Sequence, residues 1–253
     1  MTELVHLSIE KGVATITLDS PHNRNALSRQ LTEELSAHLA TATGDDTTRF
    51  VVLTHTGTVF CSGADLSESS NGDASTGTRA ALGLFHQIID APQPVIAVLR
   101  GPVRAGGTGL VAAADVALVA DHVDFAFAEV AIGVAPAIIS IPLLAKIDAR
   151  AAARYFLSAA RFDADEAVRI GLITEAVPES DVDTRLAEML AGFRRTAPRA
   201  VAATKRLLNR ALRADLDAYG PEMVTLSTQL FTGEEARAGM HAFLRKTAPP
   251  WAK

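Results

Sequence analysis

Three short runs constrain the fold most: FVVLTHTG from Phe50, VIAVLRG from Val95 and VALVAD from Val116, each apolar and β-branched with little polar interruption. A strand with one wet face alternates polar and apolar residues. Unbroken runs instead imply strands buried on both faces, which chains achieve by parallel pairing with crossover connections. Ahead of them, LVHLSIEKGVATITLD alternates on both sides of Lys11-Gly12 and reads as a hairpin. In ALSRQLTEELSAHLA, Leu27, Leu31, Leu35 and Leu39 recur four apart, predicting an apolar helical stripe. A chain of 253 residues, 48% hydrophobic and 21% charged, has the material for one such α/β core.

From Asp148 onward strands become rare. FDADEAVRIGLI predicts a helix with Asp163 and Glu166 in capping positions and a stop at Gly171. APRAVAATKRLLNRAL, with proline near its start, and FTGEEARAGMHAFLRK predict two further helices. The stretch SESSNGDASTG, rich in serine and glycine, predicts a mobile loop before a helix from near Thr78.

A net charge of −5 supplies no basic field, which disfavours nucleic acid and anionic lipid as partners. Cys61 is the single cysteine, so no disulfide forms within the chain. MTELVHLSIEKG is acidic where a signal or transit peptide is basic or apolar. The uncharged run Val130 to Ala145 is short for a membrane span and contains Pro136 and Pro142. A cytoplasmic protein without a membrane segment is expected. No histidine, cysteine and carboxylate cluster has metal-ligand spacing, so no metal is expected either.

The chemistry concentrates in RGPVRAGGTGL. Gly101 to Thr108 is almost a phosphate loop, but the place that needs lysine is Gly107. A dinucleotide fold needs a crossover helix of several turns, and between Gly109 and Val116 there is room for barely two. Two readings stay open: glycines that let a helix pack against a strand, or free N–H groups at a helix start that serve an oxyanion. A second glycine turn, VFCSGADL, is placed to supply another donor.

In order and spacing, PHNRNALS, VFCSGADL, RGPVRAGGTGL, FAFAEVAIGVAPAI, FDADEAVRIGLITEAVP and AFLRKTAPPW resemble the crotonase (enoyl-CoA hydratase/isomerase) superfamily along nearly the whole chain. The resemblance implies an α/β ClpP/crotonase-like spiral of strand-strand-helix units: a core over 1–195 with an acyl-CoA site, then a helical oligomerisation region over 196–253. It implies an acyl-CoA thioester as partner, with coenzyme A part of the substrate and no cofactor, and assembly into homotrimers or dimers of trimers. By motif position, the Ala64 and Gly106 N–H groups form an oxyanion hole and Glu129 is the acid/base. Alone, Glu129 reads equally as a surface glutamate paired with an arginine. Substrate contacts carried over are Arg24, Ala26, Ser62, Gly63, Asp65, Leu66, Gly107, Gly109, Pro136, Ala137, Phe243 and Lys246. Ser62 is expected to satisfy its hydroxyl within its own turn, and Arg104 to face the site entrance or a subunit contact.

One departure matters. The family's hydratases carry two glutamates, and the first falls on Gly109. A single carboxylate suits the family's isomerases, yet GGTGLVAAADVA also resembles hydratases of branched or carboxylated enoyl-CoA such as methylglutaconyl-CoA hydratase. Hydration, a lyase reaction of fatty acid metabolism, is expected, with isomerisation as the alternative. From another class comes a non-catalytic acyl-CoA binder.

Overall fold

The computed structural model describes residues 2–69 and 74–252. Strands β1 (Val5–Glu10) and β2 (Val13–Leu18) form the expected antiparallel hairpin, in register Glu10 to Val13. Lys11 and Gly12 turn it with φ of 49° and 78°, the pair of positive values that matches strand twist. Helix α1 (Arg29–Gly44) follows, its first turn capped by Ser28, whose Oγ accepts the Leu31 N–H at 3.3 Å. Leu31, Leu35 and Leu39 are buried on its inner face, but Leu27 lies before the cap and forms a β-bridge with Ala64. The spacing of four extended two residues ahead of the start of the helix because periodicity alone does not see the cap.

The three apolar runs are β3 (Phe50–His55), β4 (Val95–Leu99) and β6 (Val116–Ala120), reached through α2 (Leu66–Ser69), α3 (Ala74–Asp90), β5 (Val103–Arg104) and α4 (Gly106–Ala113). β7 (Phe125–Ala126), α5 (Ala137–Leu144), α6 (Ala149–Ser158), α7 (Ala164–Arg169) and β8 (Glu175–Val177) come next. One sheet has the order β1-β2-β3-β4-β6-β8 and is parallel from β2 onward, as continuous burial of β4 requires; β5 and β7 pair in a second, small sheet. Helix α3 starts four residues before Thr78, and the expected loop falls partly on 70–73, outside the described residues.

Asp163 caps α7, accepting the Glu166 N–H at 2.9 Å, and Gly171 ends the segment at φ 84°. The Glu166 carboxylate does not return to the cap; it accepts a hydrogen bond from the Tyr155 hydroxyl at 2.7 Å and pairs with Arg169. After α8 (Val182–Phe193), the segment expected as one helix breaks at Asn209 into α9 (Pro198–Leu208) and α10 (Arg210–Phe231), before α11 (Glu234–Leu244). Helix α10 runs through Gly220-Pro221, a pair that reads as a breaker; a Cβ at Gly220 would lie 2.8 Å from Leu82 Cδ2, so the helix approaches α3 closely there. Buried Lys205 fastens α9 to the core, donating to the carbonyls of Ile88 at 2.8 Å and Gln93 at 3.0 Å and pairing with Asp115 at 2.6 Å. Burial holds its pKa below the usual lysine range. Among the described residues, no helix is long and apolar enough to cross a membrane.

Candidate active site

Three chain segments run side by side in one direction: Cys61 bridges Val103, and β5 pairs with β7 as Val103 to Phe125 and Arg104 to Ala126. Hydrogen bonds Arg104 N to Cys61 O at 2.9 Å and Ala105 N to Ala126 O at 3.1 Å lock the alignment. Ala64 and Gly106 each lie three residues beyond the aligned positions, and Glu129 lies four beyond. The topology thus sets the three segments that carry them side by side, although they are far apart in sequence.

The two amides are neighbours. A Cβ on Gly106 would lie 3.9 Å from Ala64 N, and one on Gly63 would lie 3.4 Å from Gly106 N and 2.7 Å from the Ala105 methyl. Gly106 opens α4, so its N–H has no intrahelical partner. Among the described residues neither it nor the Ala64 N–H donates a hydrogen bond. Gly63 sits at φ 92°, and Ala105, immediately before the helix, at φ 46° and ψ −122°, a conformation that costs an alanine roughly 1–3 kcal/mol. The packed methyl and the two strand hydrogen bonds at Arg104 and Ala105 hold it there.

Sequence reasoning missed Asn25, which fastens this turn. It is fully buried; its Nδ2 donates to the carbonyls of Val59 at 2.8 Å and Thr56 at 3.1 Å, and its Oδ1 accepts the Ser20 N–H at 2.7 Å. Its φ of 51° is one that asparagine tolerates, which was the available signal in HNRNAL. Leu27 N donates to Gly63 O at 2.8 Å and Ser62 N to Arg24 O at 3.1 Å. The Ser62 hydroxyl reaches Asn23 O at 3.3 Å, a partner outside its own turn, and Asn23 Nδ2 donates to Asp65 at 3.2 Å. Burial pushes the Cys61 thiol up to about 12; a Cβ at Gly107 would lie 2.7 Å from Cys61 Cβ, so Gly107 lets α4 pack here.

Glu129 begins a short 3-10 turn, Glu129–Ile132, closed by Gly133 at φ 80°. The carboxyl is buried and its Oε2 has no hydrogen-bond partner among the described residues. Burial raises its pKa to about 7 from the ordinary 4.5. The surface reading with an arginine partner is therefore wrong. Helix α11 supports the turn from behind: a Cβ on Gly239 would lie 2.4 Å from Ile132 O, and Ala236 and Met240 pack with Val134, Ile132 and Leu66.

The Enoyl-CoA hydratase/isomerase family profile matches residues 8–253. The chain belongs to the enoyl-CoA hydratase/isomerase family. It is 33% identical to a Rhodobacter capsulatus protein named "Probable enoyl-CoA hydratase", over 97% of this chain and 96% of that one. A short-chain-enoyl-CoA hydratase of Clostridium acetobutylicum is 28% identical, with 96% of each chain covered. The crystal structure of an enoyl-CoA hydratase from Mycobacterium avium superposes with a TM-score of 0.92 at 44% identity, covering 99% of this chain and 100% of that one. The fold is the crotonase-like spiral with its helical C-terminal region, and the protein is an enzyme of this family acting on acyl-CoA substrates.

Against the family pattern, the position of the hydratases' first glutamate is not an open slot. A Cβ on Gly109 would lie 2.4 Å from Phe85 Cζ and 2.9 Å from Ile139 Cγ2. Arg104 is engaged by Asp124, with Nη2 to Oδ2 at 2.6 Å and Nη1 donating to the Asp124 carbonyl at 2.8 Å. Ala26 is buried beside Leu27, Pro136 precedes α5 and Ala137 is its buried first residue. Arg24 is exposed in its loop, and Phe243 and Lys246 are exposed at the end of α11. Among the described residues, no group of three histidine, cysteine or acidic side chains is arranged to hold a metal.

Proposed function

We propose that the chain hydrates an enoyl-CoA thioester through an enolate, with Ala64 and Gly106 N–H groups on the thioester oxygen and Glu129 moving the proton. The register that aligns Cys61, Val103 and Phe125 supports this reading, because it sets side by side the segments that lead to a buried carboxyl and to two amides that donate no hydrogen bond among the described residues. As carboxylate, Glu129 takes a proton from water while the water oxygen bonds to C3 and the π electrons move onto the thioester oxygen. As acid, it returns that proton to C2 and the enolate collapses. A pKa of about 7 populates both forms near neutrality. Each amide donor stabilises the transition state by ~3 kcal/mol. The relatives' hydratase names agree with this reading.

Around this centre, Arg24, Ala26, Ser62, Gly63, Asp65 and Leu66 would line the CoA path, with Gly107, Pro136 and Ala137 around the acyl group. Phe243 and Lys246 would meet CoA bound to a neighbouring subunit of a trimer or dimer of trimers in the cytoplasm. A second reading, double-bond isomerisation, is favoured by the Phe85 ring against Gly109, which leaves a single carboxyl. The test is mass spectrometry of products from 2-enoyl- and 3-enoyl-CoA thioesters, straight-chain and carboxylated, with Glu129→Gln as control. A gain of one water, lost in the variant, supports hydration. Full activity in the variant refutes the assignment, and binding without any product would favour the silent acyl-CoA binder.

A further inference from the structure

Gly106 and Gly109 lie one turn apart on α4 and share a face. Cα–Cβ bonds tilt toward a helix N-terminus, so a side chain at 109 would rise toward the amide end where the thioester oxygen is proposed to sit. That volume is already taken. The ring of Phe85, from α3 and fully buried, and Ile139, from α5, occupy the space where a Cβ at 109 would stand. The fit is reciprocal: the ring fits because position 109 has no side chain, and no side chain fits there because of the ring. Against Gly109 the chain sets an aromatic ring and a methyl group, with no polar atom from either to hold a water.

We propose that Phe85 is the specificity-determining residue of this site: by filling the space beside Gly109 it denies water a second station, and so sets how enolate chemistry divides between hydration and a shift of the double bond. The proposal rests on the Glu129 enolate reading. In the bond shift the C2–H bond breaks and its proton passes to Glu129. The C2–H electron pair passes onto the thioester oxygen as a dienolate; as the carbonyl re-forms that pair becomes C2=C3, and the C3=C4 pair bonds the proton that Glu129 returns to C4. No water is consumed, so a dry wall leaves this route intact while it restrains water addition.

The test compares kcat/KM for hydration of a 2-enoyl-CoA with kcat/KM for conversion of a 3-enoyl-CoA. The proteins are the natural chain, Phe85→Ala, Phe85→Leu, Gly109→Glu and Phe85→Ala combined with Gly109→Glu. Phe85→Ala is expected to raise the ratio of hydration to bond shift about tenfold, and Phe85→Leu to raise it by a smaller factor while keeping most of the packing. The combined variant should hydrate about tenfold faster than Gly109→Glu alone, whose new side chain collides with the ring. Simple destabilisation lowers both reactions together and leaves the ratio unmoved. A ratio within about twofold of the natural chain's in both Phe85 variants, with turnover still dependent on Glu129, overturns the proposal. Turnover indifferent to Glu129→Gln overturns the functional reading instead.

Discussion

Glu129→Gln should make the protein more stable as it removes activity, and only above a defined pH. Glutamine keeps the shape of the protonated acid and carries no charge. Burial raises Glu129 from the ordinary 4.5 to about 7 in the folded chain. Below 4.5 the acid is protonated whether folded or unfolded, so it costs nothing relative to glutamine. Between the two values the unfolded chain ionises while the folded chain keeps its proton, and stability falls as pH rises. Above about 7 the loss is complete. At about 1.4 kcal/mol per pKa unit, the natural chain then lies ~3 kcal/mol below the variant. Urea unfolding followed by circular dichroism, at matched protomer concentration, measures it. The expected advantage of the variant is about 1 kcal/mol or less at pH 5 and about 3 kcal/mol at pH 8. An advantage equal at both pH values would refute the reasoning, because it would mean that this carboxyl does not ionise in a buried place.

With Glu129 as the base of the proposed reaction, kcat/KM for the free enzyme should rise about tenfold per pH unit below about 7 and level above it, and a flat profile from pH 5 to 8 would contradict that role. Asn25→Ala removes three hydrogen bonds of a buried side chain and puts alanine at φ 51°, so denaturant titration should show a loss of ~3 kcal/mol. Lys205→Met leaves the Asp115 carboxylate without its cation beneath α9, and the same titration at pH 7 should again fall by ~3 kcal/mol; a loss under ~1 kcal/mol would show that this ion pair is not what fastens the helix.

Legibility followed the range of the interaction responsible. The Lys11-Gly12 hairpin, the Asp163 cap and the stop at Gly171 were readable because each is settled within a few residues. The parallel sheet was readable because burial on both faces leaves an unbroken apolar run. Leu27 was misassigned to a helix because its partner, Ala64, is distant in sequence. Helix α10 was not anticipated because contact with α3 overrides the local cost of Gly220-Pro221.

At the site the same division holds. Motif order in the sequence put forward Ala64, Gly106 and Glu129 as candidates, and showed that Gly109 carries no acid. Only the tertiary structure decided that Arg104 turns to Asp124, that Glu129 Oε2 is buried without a hydrogen-bond partner among the described residues, and that Phe85 fills the space beside Gly109. A residue type determines what chemistry a side chain can perform. Its burial and neighbours, contributed by segments distant in the chain, determine which charge state is stable and which atoms it meets.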